Sequence, residues 1–164
     1  MYLRLTKYKM AFTLLEMLVS VSIFSVIMLC IYQALYSGDR SSRLGAGIVS
    51  LQENTRNMVY YLTRDIRESK GTLSTTTLTS VGDNLSLSIP DNSTVITVTY
   101  QIALSSQNVR QLQRNGMSVG NYVNTVGLTV TGSTANITVD TEKQIGPQET
   151  ETFTLTGKVK RRNN

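Results

Sequence analysis

From Phe12 to Tyr36 the chain is apolar over roughly 25 residues, interrupted by small hydroxyl side chains, Cys30, Gln33 and a single charge, Glu16. Coiled as an α-helix, that stretch is about 38 Å long, enough to cross a hydrocarbon core of about 30 Å with some tilt. A carboxylate among residues of this kind costs roughly 2.5–3.5 kcal/mol on insertion scales and calls for a cationic partner. Any folded domain therefore has to be built from the residues after Tyr36, and Glu16 needs its own explanation.

The flanks predict an orientation. Arg4, Lys7 and Lys9 precede the segment, and the first acidic residue after it is Asp39. A basic leader of this kind stays in the cytoplasm while the bulk of the chain is exported. A secretory signal peptide also joins basic residues to an apolar run, but its run is shorter and ends in a small-residue cleavage site that has no convincing counterpart here. A plain single-pass anchor accounts for the length and the flank, and leaves Glu16 unexplained.

Ala11-Phe12-Thr13-Leu14-Leu15-Glu16 resembles the leader junction of type IV pilins and type II secretion pseudopilins. The resemblance implies that a prepilin peptidase cuts between Ala11 and Phe12, that the same enzyme methylates the new amine of Phe12, and that Glu16, fifth in the mature chain, helps bring subunits into register. The family usually has Gly before the cut. Ala11 departs from that, an exchange that the resemblance implies is sometimes accepted, with slower processing as the alternative. Physical chemistry supplies the role of Glu16 independently: cutting before Phe12 creates an α-amine at the bilayer surface, and a carboxylate about one turn along the helix can pair with such an amine, its own or a neighbour's. The bland alternative is a carboxylate that snorkels to the headgroups.

The remaining composition narrows the function classes. The formal charge is +5, from 16 basic and 11 acidic residues. Once the leader cations and the terminal Lys158, Lys160, Arg161 and Arg162 are set aside, acidic residues outnumber basic ones. The body is not a basic surface, so nucleic acid is a disfavoured though open partner. Histidine is absent and the sole cysteine, Cys30, lies in the apolar segment. No serine triad, cysteine–histidine pair or histidine metal site can be assembled from such residues, so the sequence predicts a protein that is not an enzyme and carries neither cofactor nor metal. Asp83, Asp91, Asp140 and Glu142 could offer oxygen ligands to Ca²⁺, but they are scattered and read better as turn carboxylates. The terminal basic run reads as a solvated strand end, or as a contact for anionic lipid or an acidic partner.

Beyond Tyr36 the pattern becomes amphipathic. Leu44, Ile48, Leu51, Thr55, Met58, Leu62 and Ile66 recur at helical spacing, with Arg64 and Glu68 on the polar side and Gly71 as a stop after Lys70. One long helix from Phe12 to about Lys70 is predicted, with Gly38, Gly45 and Gly47 either a joint or simple weak points. After Gly71, period-two alternation predicts strands at Leu85–Ile89, Val95–Tyr100, Val109–Arg114, Val126–Thr131, Ala135–Val139 and Phe153–Val159. Turn signals stand at Pro90-Asp91-Asn92, Asn115-Gly116, Gly132-Ser133 and Gly146-Pro147. The fold class is α+β: a long N-terminal helix, membrane-spanning in its first half and amphipathic in its second, packed on a mostly antiparallel sheet.

The resulting organisation is a leader at 1–11, a spanning or filament-core helix at 12–36, an amphipathic half at 37–70 and an exported β domain at 71–164. Leu62-Thr63-Arg64-Asp65-Ile66-Arg67, Val98-Thr99-Tyr100-Gln101-Ile102 and Leu112-Gln113-Arg114 are similar to segments of J-type minor pseudopilins and related minor pilins. This resemblance implies a structural subunit of a pilus, type II secretion or competence filament, held in the bacterial cytoplasmic membrane with its C-terminal domain outside. Its partners would be prepilin peptidase, other pilins or pseudopilins, and membrane lipid. The alternative on the same scaffold is an exported binding module for DNA, an adhesion ligand or a secreted substrate.

Overall fold

The computed structural model describes residues 13–91, 94–145 and 149–162. Helix α1 runs unbroken over Leu14–Glu68, so the three glycines neither end nor interrupt it. It stops slightly before Lys70, and Gly71 turns the chain at φ 97°, a conformation that a side chain would disfavour.

Contacts divide the chain into two units, residues 1–42 and 43–164. In the first unit every described residue is exposed, including Leu14 at 83% and Phe24 at 58%. This apolar helix has no core of its own to enter. By length and composition, α1 contains a segment able to cross a membrane.

The second unit carries eight strands: β1 (Thr76–Leu78), β2 (Asn84–Asp91), β3 (Thr94–Leu104), β4 (Arg110–Arg114), β5 (Met117–Asn121), β6 (Val123–Thr131), β7 (Thr134–Gln144) and β8 (Thr150–Lys160). They form two four-stranded sheets, in the orders β1-β6-β7-β8 and β2-β3-β4-β5, with every pair antiparallel. The α+β arrangement is the predicted one, but the single expected sheet is two. The chain passes between them twice, between β1 and β2 at residues 79–83 and back at Tyr122, between β5 and β6, where φ is 64°. A bulky residue in that region is strained by roughly 1–3 kcal/mol and persists only where its surroundings hold it. Here the Tyr122 carbonyl accepts the N–H of Glu142 at 2.8 Å, and the Lys143 ammonium lies 4.6 Å from its ring centre.

Turn chemistry accounts for the hairpins. Asn115 and Gly116 both have positive φ (49° and 83°), as a two-residue type I′ loop requires, and they join β4 to β5. The strand after that turn, β5, escapes a reading by alternation because Met117-Ser118-Val119-Gly120-Asn121 offers few apolar side chains. Pro90 and Asp91 stand inside the β2–β3 ladder, opposite Val95 and Thr94, and not in the turn. Pro90 is tolerated because β2 is an edge strand, where the missing N–H breaks no central ladder. Gly146-Pro147 lies outside the described residues.

The amphipathic half of α1 covers both sheets. Leu51, Met58, Leu62 and Ile66 are at most 1% exposed, and the last three share one core with Leu87, Tyr100, Ile102 and Leu112 from one sheet and Val126, Ile137 and Val139 from the other. Each such burial contributes about 1.5–3 kcal/mol. The buried stripe begins at Gly47, with Leu44 half-buried and Ile48 36% exposed. Helix and sheets approach closely at Gly120, where an added Cβ would lie 2.5 Å from Met58 Cγ and 3.1 Å from the Asn54 carbonyl oxygen. Gly120→Ala is therefore expected to destabilise the second unit by about 1–3 kcal/mol through overpacking, with the urea midpoint of the detergent-solubilised protein as the measurement. An unchanged midpoint would contradict this packing.

Candidate functional site

Two polar constellations stand out on α1, one at each end. At the first, Thr13 precedes the helix as its N-cap. Its hydroxyl accepts the N–H of Glu16 at 3.3 Å, and its carbonyl accepts from Glu16 and Met17 at 3.1 and 3.2 Å. Thr13-Leu14-Leu15-Glu16 has the spacing of a capping box, a local signature that the membrane reading of this segment passes over. Glu16 sits in the first turn, where the helix dipole favours negative charge. Among the described residues no side chain pairs with its carboxylate. Ala11 and Phe12, the predicted cleavage and methylation positions, lie outside the described residues.

Along the same segment Ser20, Ser22 and Ser25 donate to the carbonyls of Glu16, Leu18 and Val21 at 2.7–2.8 Å. Their hydroxyls are thus satisfied within the helix, as a surrounding without water demands. Cys30 is free and exposed on this helix.

At the other end, Asp65 is 1% exposed on the buried face. Its Oδ2 accepts from Tyr100 Oη at 2.7 Å and from Arg114 Nε at 2.6 Å, and its Oδ1 accepts from Arg114 Nη2 at 3.3 Å. The fork geometry of the guanidinium suits this two-point contact. Burial, followed by the hydrogen bond to Asp65, pushes the Tyr100 hydroxyl well above its usual value of 10. The hydrogen bond to Asp65 likewise raises the already high value of Arg114. Together they tie α1 to β3 and β4. A second buried contact, Thr55 Oγ1 to Thr141 Oγ1 at 2.8 Å, ties it to β7 in the other sheet. Sequence spacing places Asp65 beside Ile66 on the helix but cannot reveal its burial, because its partners come from distant strands.

The terminal basic run is more than a solvated strand end. Arg161 donates its backbone N–H to the Ser133 carbonyl at 2.8 Å, and its guanidinium reaches the carbonyls of Ser69 (3.4 Å) and Gly71, just past the end of α1. A cation there complements the negative end of the helix dipole. Asp83, Asp91, Asp140 and Glu142 are dispersed among turns and strands. Asp83 accepts the N–H groups of Ser80 and Thr79 at 2.7 and 2.8 Å, which lower its carboxyl below the usual range, and Asp140 accepts from Thr125 Oγ1 at 2.6 Å. Among the described residues no three acidic, histidine or cysteine side chains group to hold a metal.

Residues 11–32 match the family described as the prokaryotic N-terminal methylation motif. The motif and the apolar helix behind it support a type IV pilin-like subunit anchored in a membrane, and imply processing by prepilin peptidase and assembly with pilins in general. No curated protein and no solved structure matches the chain.

Asp65→Ala leaves the Arg114 guanidinium, 31% exposed, without its counter-charge and the Tyr100 hydroxyl without its acceptor. A loss of about 3 kcal/mol is expected by chemical denaturation, with Tyr100→Phe costing about 1 kcal/mol. The raised Tyr100 value also sets a pH window. The folded state holds the phenolic proton more tightly than the unfolded state, so this contribution is complete below pH 10 and declines as pH rises above it. Stability measured from pH 9 to 11 should fall less steeply in Tyr100→Phe than in the parent. Parallel curves would remove this assignment.

Proposed function

We propose that the chain is a minor pilin or pseudopilin: a structural subunit that is cut between Ala11 and Phe12, methylated on Phe12 and drawn from the membrane into a short filament or its tip complex, with no catalysis of its own. The observation that carries this reading is Glu16, a carboxylate at the capped start of α1, whose apolar segment up to Ser42 is exposed throughout. A helix of that kind is completed by surroundings, lipid before assembly and other helices after it. Cleavage at Phe12 supplies the α-amine that the carboxylate needs, and pairing across subunits offsets a cost of roughly 2.5–3.5 kcal/mol for each charge left alone in the bilayer. The β unit, exported by the positive-inside rule, is then carried at the filament surface or tip as the part that meets other proteins.

Mass spectrometry of the membrane-extracted protein should find a mature N-terminus at methylated Phe12. A chain still starting at Met1 in cells with active prepilin peptidase would reduce the segment to an anchor. Glu16→Ala should remain cut and membrane-bound while its incorporation into filaments drops at least about tenfold, the equivalent of roughly 1.4 kcal/mol in the assembly equilibrium. Undiminished incorporation would refute the pairing role.

A further inference from the structure

The second unit carries opposite charges at the two ends of its β7–β8 hairpin. Where α1 and β8 both end, Arg67, Lys160, Arg161 and Arg162 line an open cleft of about 450 Å³ with a single carboxylate, Glu68. That carboxylate already has a cation on its own helix, Arg64 Nε at 3.7 Å. The backbone fixes the cleft: β8 ends at Lys160, and the Arg162 N–H donates to the Arg67 carbonyl at 3.3 Å. Arg161 is held on the helix-end carbonyls, leaving the exposed side chains of Arg67, Lys160 and Arg162 as the cations that an incoming group meets.

At the turn end of the same hairpin the charge is reversed. Glu142 and Asp140 share the outer face of β7, Glu142 exposed, and Glu151 follows on β8. The one cation among them, Lys143, stands opposite Glu151 and over the Tyr122 ring. Lys158 and Lys160 lie on the same outer face as Asp140 and Glu142, since Asp140 pairs with Thr154, Glu142 with Thr152, and side chains alternate along β8. Eight residues of β8 separate Thr152 from Lys160, so the two charged ends are about 27 Å apart and cannot meet within one chain.

We infer that the cleft at the end of α1 is a docking site for the acidic end of the β7–β8 hairpin of a second copy of this chain, a head-to-tail contact. Such a contact uses two different patches, and repetition of it extends an assembly without closing it. Complementary charge sets register and steers encounter. The inference rests on the subunit reading above and names the surface through which the exported units meet. A lipid surface is the poorer occupant, because the chain enters this unit at Arg43 and the cleft lies at the other end of its helix, roughly 39 Å along.

The test uses the full chain in detergent at low salt. A carbodiimide joins a carboxylate to an amine only in direct contact, so peptide mass spectrometry should find Lys160 linked to Asp140 or Glu142, and only in cross-linked oligomers. Lys160→Glu with Arg162→Glu should weaken self-association about tenfold or more, and so should Asp140→Lys with Glu142→Lys. Mixing the two folded variants should restore association as mixed pairs. Self-association of either variant at the parent level, or a mixture that fails to associate, overturns the inference. So does a parent chain whose basic cleft instead governs binding to phosphatidylglycerol vesicles or to duplex DNA while self-association stays unchanged. If the charge-reversed chains are cut at Phe12 and enter filaments as well as the parent, the docking site fails and the subunit reading stands. If the parent itself is neither cut nor assembled, the reading itself fails.

Discussion

The second unit depends on a carboxylate that has no access to water. Asp65 points from the buried face of α1 into a space otherwise filled by Leu62, Ile66, Tyr100 and Leu112. An ion there is tolerable only if its lone pairs are occupied, and Arg114 and Tyr100 occupy them from two neighbouring strands. Such a contact adds little net stability over well-packed apolar side chains, yet it penalises every other placement of the helix. A slide of α1 by one turn would bury the charge without partners. The ion pair therefore sets the helix register, and hydrophobic contacts supply the adhesion. Gly120 on β5 and Gly157 on β8 act in the same direction: an added Cβ would come within 2.5 Å of Met58 and 3.0 Å of Val59, so the helix lies close to both sheets at defined points.

Glu16 poses the same electrostatic problem at the other end of the helix, with a different solution. Its backbone belongs to a cap built by Thr13, and the polar groups after it, the hydroxyls of Ser20, Ser22 and Ser25, are satisfied inside the helix. Among its described residues the first unit has no covered apolar face. A helix that satisfies its own hydrogen bonds and exposes its apolar side chains is suited to a medium without water. That is the physical content of the N-terminal methylation motif matched over residues 11–32.

Much of this was legible in the sequence where one interaction dominates. The apolar segment, the buried stripe from Leu51 to Ile66 and six of the strands follow from hydrophobic periodicity, since burial on one face writes its period directly into the chain. The rest depends on partners far along the chain. Asp65 looks like a surface residue of a charged helix until β3 and β4, 35 and 49 residues on, are brought against it. β5 has weak alternation because Gly120 serves the approach of Met58 and not its own sheet. Two sheets instead of one follow from two crossings, at residues 79–83 and at Tyr122, the second a left-handed residue that no composition rule singles out. At the candidate site the capping box Thr13-Leu14-Leu15-Glu16 was readable by spacing, but the membrane context draws attention to the charge and away from the cap.

The two carboxylates separate what the chain completes by itself from what it leaves to others. In the second unit the buried polar groups of the helix, Asp65 and Thr55, find partners within the unit, so its fold asks nothing of a neighbour. Among its described residues the first unit supplies neither a covering for its apolar face nor a cation for Glu16. A protein divided in this way can pass from a membrane into a bundle of like helices without refolding its second unit. Only the surroundings of the apolar segment change, and the free energy of that exchange, together with any contacts between second units, sets the balance between membrane and assembly.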